Sequence, residues 1–441
     1  MGRLWSTLAL TLALAGLGGY IYFVELGRDP DAGEARESVF EGLEAEAVEE
    51  LRVRGSEGDP ARLAKTDDTW RLVEPVEAAA NETEVSSIAS NLASLEIDRV
   101  VDEAATDLAP YGLEPARIDV GFRAGDGQEL RHLLIGDTTP TGGNLYATVG
   151  GTGRVFLIAS YLASTFDKNA FTLRDRRILV FDRDAVDGLT VEGESGRVTL
   201  AKSGSEWRIT APIEARADFA AVEGALQRLS STQMQGLVAE DDSGDADLGQ
   251  YGLARPTGTI AVSAGSAEAT LTLGSTDNAL VFARDASRPV VFTVAPTIRD
   301  DVIRTVADFR RKDLFDGRSF TATRVELTRG EETIVLEKAE DEEGGTIWHD
   351  GDGETVETTA VEDLLSTITT VRAESFEPSA PAALRSPELE VTLAYGEDRT
   401  ETVTFGRAGE DVFASRADEA GAARIAAATL DDALTALDEV R

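Results

Sequence analysis

The chain has 441 residues with a 42% hydrophobic share, which predicts about three folded domains and excludes wholesale disorder. Its 42 Lys and Arg against 81 Asp and Glu give a net charge of −39, which repels nucleic-acid phosphate and anionic headgroups and excludes nucleic-acid binding. The absence of Cys removes disulfides, thiol nucleophiles and thiolate metal sites, leaving only His132 and His349 for imidazole chemistry.

In chain order, the first predicted element is a membrane helix. From Leu4 to Leu26 the only charged side chain is Glu25, at the edge of the segment. As a helix it spans about 34 Å, enough to cross a hydrocarbon core of about 30 Å. Arg3 and the amino terminus precede it, whereas Glu25, Arg28, Asp29 and Asp31 follow. The positive-inside bias therefore places the amino terminus in the cytoplasm and the remainder outside it, on the periplasmic side of the inner membrane. The competing reading is a signal peptide cleaved after Ala13-Leu14-Ala15. Cleavage there strands the apolar run Gly16 to Val24 on the mature protein, which favours an uncleaved anchor over residues 1–26. Residues 27–39 contain a Pro and no apolar periodicity, and read as a linker.

Internal repeats follow. Trp70, Trp207 and Trp348 lie 137 and 141 residues apart. Trp70 begins WRLVEP and Trp207 begins WRITAP, while Tyr111 begins YGLEP and Tyr251 begins YGLARP. Gly136, Gly274 and Gly406 each end a β-type run, LLIG, LTLG and VTFG. The third copy is worn: its Tyr-Gly-Leu segment has become AALRSP, ending at Pro387. The unit boundaries are 40–179, 180–314 and 315–441.

Each unit reads as α+β. In unit two, Val186 to Val191, Arg197 to Lys202 and Glu206 to Ile209 form an antiparallel meander. An amphipathic helix follows, capped by Asn81 in unit one and Asp218 in unit two, with Val361, Leu364, Leu365, Ile368 and Val371 as its apolar face in unit three. A second antiparallel strand set comes next, read in unit one at Arg117 to Phe122, Leu130 to Ile135, Leu145 to Val149 and Val155 to Ile158, and then a short helix. Leu430, Leu434 and Leu437 predict the closing helix of the chain.

An amino-terminal anchor, WR-x-x-x-P, an amphipathic helix, YGL-x-P or YGL-x-x-P, and a strand ending in Gly together resemble the bacterial domain-of-unknown-function forty-three-forty family. The resemblance covers nearly all of residues 40 to 314, and the third unit departs from it at the Tyr-Gly-Leu position. It implies a place beside gliding-motility-type ABC transporter components, and it implies no reaction and no ligand.

Candidate sites are few. Tyr111 and Tyr251, beside Gly112 and Gly252, are either recognition turns that stack on a sugar or partner, or plugs whose rings cover a sheet edge. Arg174, Arg176 and Arg177, and Arg310, Arg311 and Lys312, end units one and two. They are read as pairing with acids of the adjoining unit rather than binding an anion. The acidic runs Glu240 to Asp247 and Glu340 to Glu343 read as solvated loops, and Asp350 to Glu354 as a turn rather than a calcium loop. No phosphate loop, H-E-x-x-H or G-x-S-x-G is present.

These readings lead to a non-catalytic, single-pass scaffold or accessory protein of an ABC-type export system, with no cofactor or metal. Its expected partners are the membrane, through Leu4 to Leu26, and transporter subunits. The alternative is a binding module for envelope glycan or another ligand at the tyrosine turns. A carboxylate-dependent hydrolase ranks third and needs two carboxylates about 5 to 10 Å apart.

Overall fold

Alternating side chains make the first strand, β1 (Val48–Arg54), half-buried: Leu51 and Val53 enter the core while Arg52 and Arg54 face solvent. The same period continues through β2 (Ala61–Thr66) and β3 (Thr69–Glu74), to the two-residue β4 (Ala78–Ala79). After a helix come β5 (Arg99–Asp102), β6 (Ile118–Ala124), β7 (Arg131–Thr138), β8 (Asn144–Val149) and β9 (Val155–Ala159). These elements belong to a computed structural model, which describes residues 36–125, 129–240, 248–342 and 344–440.

The nine strands form one antiparallel sheet in the order β4-β3-β2-β1-β6-β7-β8-β9-β5. The meander and the second strand set are therefore two halves of one sheet, joined where β1 pairs with β6. β5, which the periodicity did not reveal, crosses to the far edge and pairs with β9. It has four residues and an edge position, so it carries little of the apolar alternation that betrays the other strands.

The same nine-strand order recurs twice, between Gly188 and Val294 and between Ala322 and Ile425. The chain thus contains three tandem repeats, mostly antiparallel sheet with a few helices. Trp70, Trp207 and Trp348 all fall on the third strand, and Gly136, Gly274 and Gly406 on the strand that follows the sixth in chain order. All three Trp side chains are buried.

One helix lies between the fourth and fifth strands of each repeat: α1 (Glu82–Ala93), α2 (Phe219–Ser231) and α3 (Thr358–Thr369). Asn81, Asp218 and Glu357 cap them, each side chain accepting from the third backbone N–H of its helix. Their apolar stripes, such as Val222, Leu226 and Leu229 on α2, are buried, each large side chain contributing about 1.5 to 3 kcal/mol. The first two repeats end in pairs of short helices, Ala163–Phe166 with Ala170–Leu173 and Thr297–Val302 with Val306–Phe309. The third ends in one longer helix, α4 (Ala427–Val440), which buries Leu430 and Leu437.

The chain divides into two compact units between Arg176 and Arg177; the first holds sheet one and the second holds sheets two and three. Among the described residues no helix is long and apolar enough to cross a membrane. The expected anchor at Leu4 to Leu26 lies outside the described residues, as does most of the linker.

Candidate functional site

The Tyr-Gly-Leu segments and the strand-ending glycines are two sides of one contact. Tyr111 closes the 3-10 turn Ala109–Tyr111, and Gly112 follows it at φ 68°. A Cβ on Gly136 would collide with the Tyr111 carbonyl oxygen, and one on Gly274 with the Tyr251 carbonyl oxygen. That oxygen of Tyr251 also accepts from the Ser275 backbone N–H at 2.9 Å. Gly252, at φ 71°, sits as Gly112 does. Both rings are half-buried: Tyr111 packs on Tyr146 at 5.2 Å and Tyr251 on Phe282 at 5.1 Å. In the third repeat the turn Ala382–Arg385 takes this place, with the Ala383 carbonyl oxygen 2.5 Å from where a Cβ on Gly406 would stand. Backbone makes the contact, so the aromatic ring is dispensable there.

The two basic clusters occupy equivalent linkers. The backbone of Arg174 bridges Ala80 and that of Arg310 bridges Ala217; three residues further on, Arg177 bridges Gln233 and Asp313 bridges Arg372. The Arg174 side chain is buried. Arg176 stacks its guanidinium on Phe171 at 5.5 Å, with its Nε buried and without a hydrogen-bond partner among the described residues. The carbonyl of Arg177 accepts from Arg288 Nη2 at 2.6 Å. Arg311 pairs with Asp316 at 2.5 Å, and the Lys312 carbonyl accepts from the Ala373 backbone N–H at 2.8 Å.

Arg310 belongs to a larger constellation that ties the second repeat to the third. Its guanidinium donates to Glu419 at 2.9 Å and lies over Phe376 at 4.3 Å. Glu419 also accepts from Arg216 Nε at 2.5 Å, and Arg216 reaches Asp316 Oδ1 and the Asp313 carbonyl, each at 2.7 Å. Alongside, Arg416 Nη1 donates to Glu401 at 2.6 Å and to the Leu314 carbonyl at 2.7 Å. Glu401 takes two further bonds, from the backbone N–H groups of Asp316 and Gly317 at 2.9 and 2.8 Å.

The five central side chains are almost out of water: Arg216 is 6% exposed, Arg310 and Arg416 5%, Glu419 3% and Glu401 2%. Burial of such charges is costly, and here each is met by several partners. Burial works against the charge on Arg416, yet Asp418 and Glu401 hold its guanidinium well above the usual value. Burial likewise opposes the Asp418 carboxylate, and Arg416 holds that carboxyl below the ordinary range.

Arg216, Glu401, Arg416 and Glu419 were not singled out by sequence reasoning, although a signal existed for two of them. Glu401, Val403 and Phe405 alternate on the buried side of one strand, and Val412, Ala414 and Arg416 on the buried side of the next. A charge at an inward position of an apolar strand marks an internal partner. Arg216 ends a two-residue strand and Glu419 lies in a bend, both too short for a period to show.

Among the described residues no group of three or more His, Asp or Glu side chains is placed to hold a metal ion. Asp350 Oδ1 accepts from the backbone N–H groups of Asp352 and Glu354, which closes a hairpin turn. In the EDEE run, Asp341 accepts from the Gly345 backbone N–H at 2.6 Å. Residues 241–247 of the other acidic run lie outside the described residues.

The family model described as Domain of unknown function (DUF4340) matches residues 70–206 and again residues 207–387. Both matches begin at the tryptophan of a third strand, and the second runs on into the third repeat as far as Pro387. No curated protein matches the chain. A crystal structure of the DNA polymerase sliding clamp from Pseudomonas aeruginosa is 9% identical, with 87% of this chain and 92% of that chain covered and a TM-score of 0.17. The DnaN sliding clamp of the same organism, bound to griselimycin, is also 9% identical, with 88% and 92% covered and a TM-score of 0.16. Likeness this low carries no argument about what the chain does.

Proposed function

The chain belongs to the family described as Domain of unknown function (DUF4340), and from that premise we propose a non-catalytic, membrane-anchored, extracytoplasmic scaffold or accessory protein of an ABC-type export system. The carrying observation is the buried ion network around Glu419 and Glu401. A network of this kind fixes repeat three on repeat two with a defined geometry, and a body of fixed repeats presents partner surfaces at constant spacing. A buried ion network is weak evidence for added stability, and in this proposal its role is to select one arrangement of the two repeats. In this proposal residues 1–26 anchor the chain, residues 27–39 link it, and the repeats at 40–179, 180–314 and 315–441 stand on the periplasmic side. Confinement by the anchor raises the effective concentration of partners in the same membrane, so weak contacts suffice.

The tyrosine turns support this reading over a glycan-binding module. Their carbonyls dock onto glycines and their rings pack on Tyr146 and Phe282, so the features that suggested recognition are used internally. The test is complementation in cells that lack the protein. A version with Leu4 to Leu26 replaced by a cleavable signal peptide is expected to fail, and in-cell cross-linking of the native chain to capture transporter subunits. Full activity from the released form, with no transporter subunit among the cross-links, overturns the proposal.

A further inference from the structure

The outer face of sheet one carries a row of side chains that its two sister sheets lack. Across β2, β1, β6 and β7 the register aligns Arg62, Arg52, Gly121 and His132. The matching row is Thr199, Thr190, Ala261 and Thr270 in the second sheet, and Val335, Glu326, Thr392 and Thr402 in the third. A role in holding the repeat together would recur in all three; this row occurs in one.

The row borders an open cavity of about 240 Å³, whose lining includes Arg52, Arg54, Arg62, Glu74, Asp119 and His132. Gly121 makes room for the imidazole: a Cβ there would stand 3.0 Å from His132 Cε1 and 3.3 Å from Nδ1. His132 Nδ1 lies 2.7 Å from Asp119 Oδ1. An ionised carboxylate only accepts, so Nδ1 carries the hydrogen and Nε2 is the ring nitrogen left for a ligand.

The surrounding charge is positive in a chain whose net charge is −39. Two residues along β1 from Arg52 and on the same face, Glu50, 8% exposed, is shared by Arg52 at 2.9 Å, Arg62 at 3.0 Å and Arg123 at 2.9 Å. Burial opposes its charge, but those arginines hold the Glu50 carboxyl below the usual range. Among the described residues Arg54 donates only to the Ala116 carbonyl, at 3.2 and 3.1 Å. Four guanidiniums thus face three carboxylates, Glu50, Glu74 and Asp119. Arg52 reaches Glu50 through Nε, and its two Nη groups have no hydrogen-bond partner among the described residues.

The geometry points to a binding site for a phosphate group at this cavity, held by Arg52, Arg54 and Arg62 with His132 Nε2 as a fourth contact, which accepts from a P–OH group or, as imidazolium, donates to an ionised phosphate oxygen. Several convergent guanidinium donors suit a tetrahedral dianion better than a planar carboxylate of single charge. The cavity is small for a drug-sized ligand, so it takes the phosphate and a few attached atoms. The site is independent of the scaffold proposal, since it lies wholly within the first compact unit.

The test uses the full chain in mild detergent with ring-labelled histidine, which gives two signals because the protein has two histidines. Inorganic phosphate, titrated at constant pH and ionic strength, is expected to shift the His132 signal along a saturating curve and leave His349 unmoved. Acetate should bind more weakly. Arg54→Gln and Arg52→Gln should each weaken phosphate about tenfold, the loss of one charge-assisted hydrogen bond. The unliganded His132 shift in each variant reports whether the Asp119 contact is intact. A parallel titration with dihexanoyl phosphatidic acid separates sources: tighter binding than inorganic phosphate assigns a lipid headgroup, equal or weaker binding a soluble phosphate. A His132 signal that does not saturate, equal movement of His349, acetate as tight as phosphate, or unchanged affinity in both variants overturns the inference.

Discussion

The carbonyl oxygen of Tyr251 fills the space that a Cβ on Gly274 would need. The obstacle is backbone, which cannot rotate away as a side chain can. Gly274→Ala must therefore push the turn off the strand, at an expected cost of about 3 kcal/mol, the upper end for overpacking. Gly224 on α2 offers the opposite case, since it is exposed and nothing lies within 4 Å of its would-be Cβ. Gly224→Ala is expected to stabilise by about 0.5 to 1 kcal/mol. Thermal unfolding of the two variants should shift in opposite directions, and shifts of the same sign contradict the packing described.

The repeated tryptophans are alike in burial but not in polar satisfaction. Trp207 donates from Nε1 to Glu223 at 3.1 Å, whereas Trp348 Nε1 is buried without a partner among the described residues. Trp207→Ala is expected to destabilise by about 3 to 5 kcal/mol, through lost transfer energy and the cavity left behind. Replacement by Phe discriminates further. Trp348→Phe removes an unsatisfied donor and Trp207→Phe removes a made bond, so the first should cost about 1 kcal/mol less than the second. Denaturant unfolding of the full chain measures both, and equal costs would place a partner on Trp348.

Asp418 makes the junction sensitive to acid. Its folded-state pKa lies below its unfolded value because Arg416 holds the charged form against the opposing effect of burial. The stabilisation is therefore complete above the unfolded pKa and fades as pH falls through the folded one. The stability difference between the native chain and Asp418→Asn should be constant from about pH 5 to 7 and shrink below about pH 4. A difference that grows on acidification would mean the carboxylate is not held by Arg416.

Much of the fold was legible because its periods are simple. Trp70 and Trp207, Tyr111 and Tyr251, and Gly136 and Gly274 recur in one order, and they occupy equivalent places in sheets of identical strand order. Asn81 and Asp218 announced their helices because a capping side chain acts within one turn. The joining of two strand sets into one sheet was not legible, since the pairing of β1 with β6 depends on residues about 70 apart with no local signature. The same holds for the candidate sites. Arg310 stood out by composition, but its acid, Glu419, is over a hundred residues away. The row of Arg62, Arg52 and His132 exists only once four strands are in register.

The scaffold proposal rests on repeats two and three being one rigid body held through Glu419. The chain has no Cys, so Ser231→Cys and Ser366→Cys, both exposed, place two spin labels cleanly on α2 and α3. Double electron–electron resonance then reads the distance between them in the full chain. A single narrow distribution is expected, broadening in a Glu419→Gln background, where two buried guanidiniums lose their shared counter-charge at a cost of about 3 to 5 kcal/mol. A broad or multimodal distribution in the native chain, or a narrow one that Glu419→Gln leaves unchanged, would contradict the account.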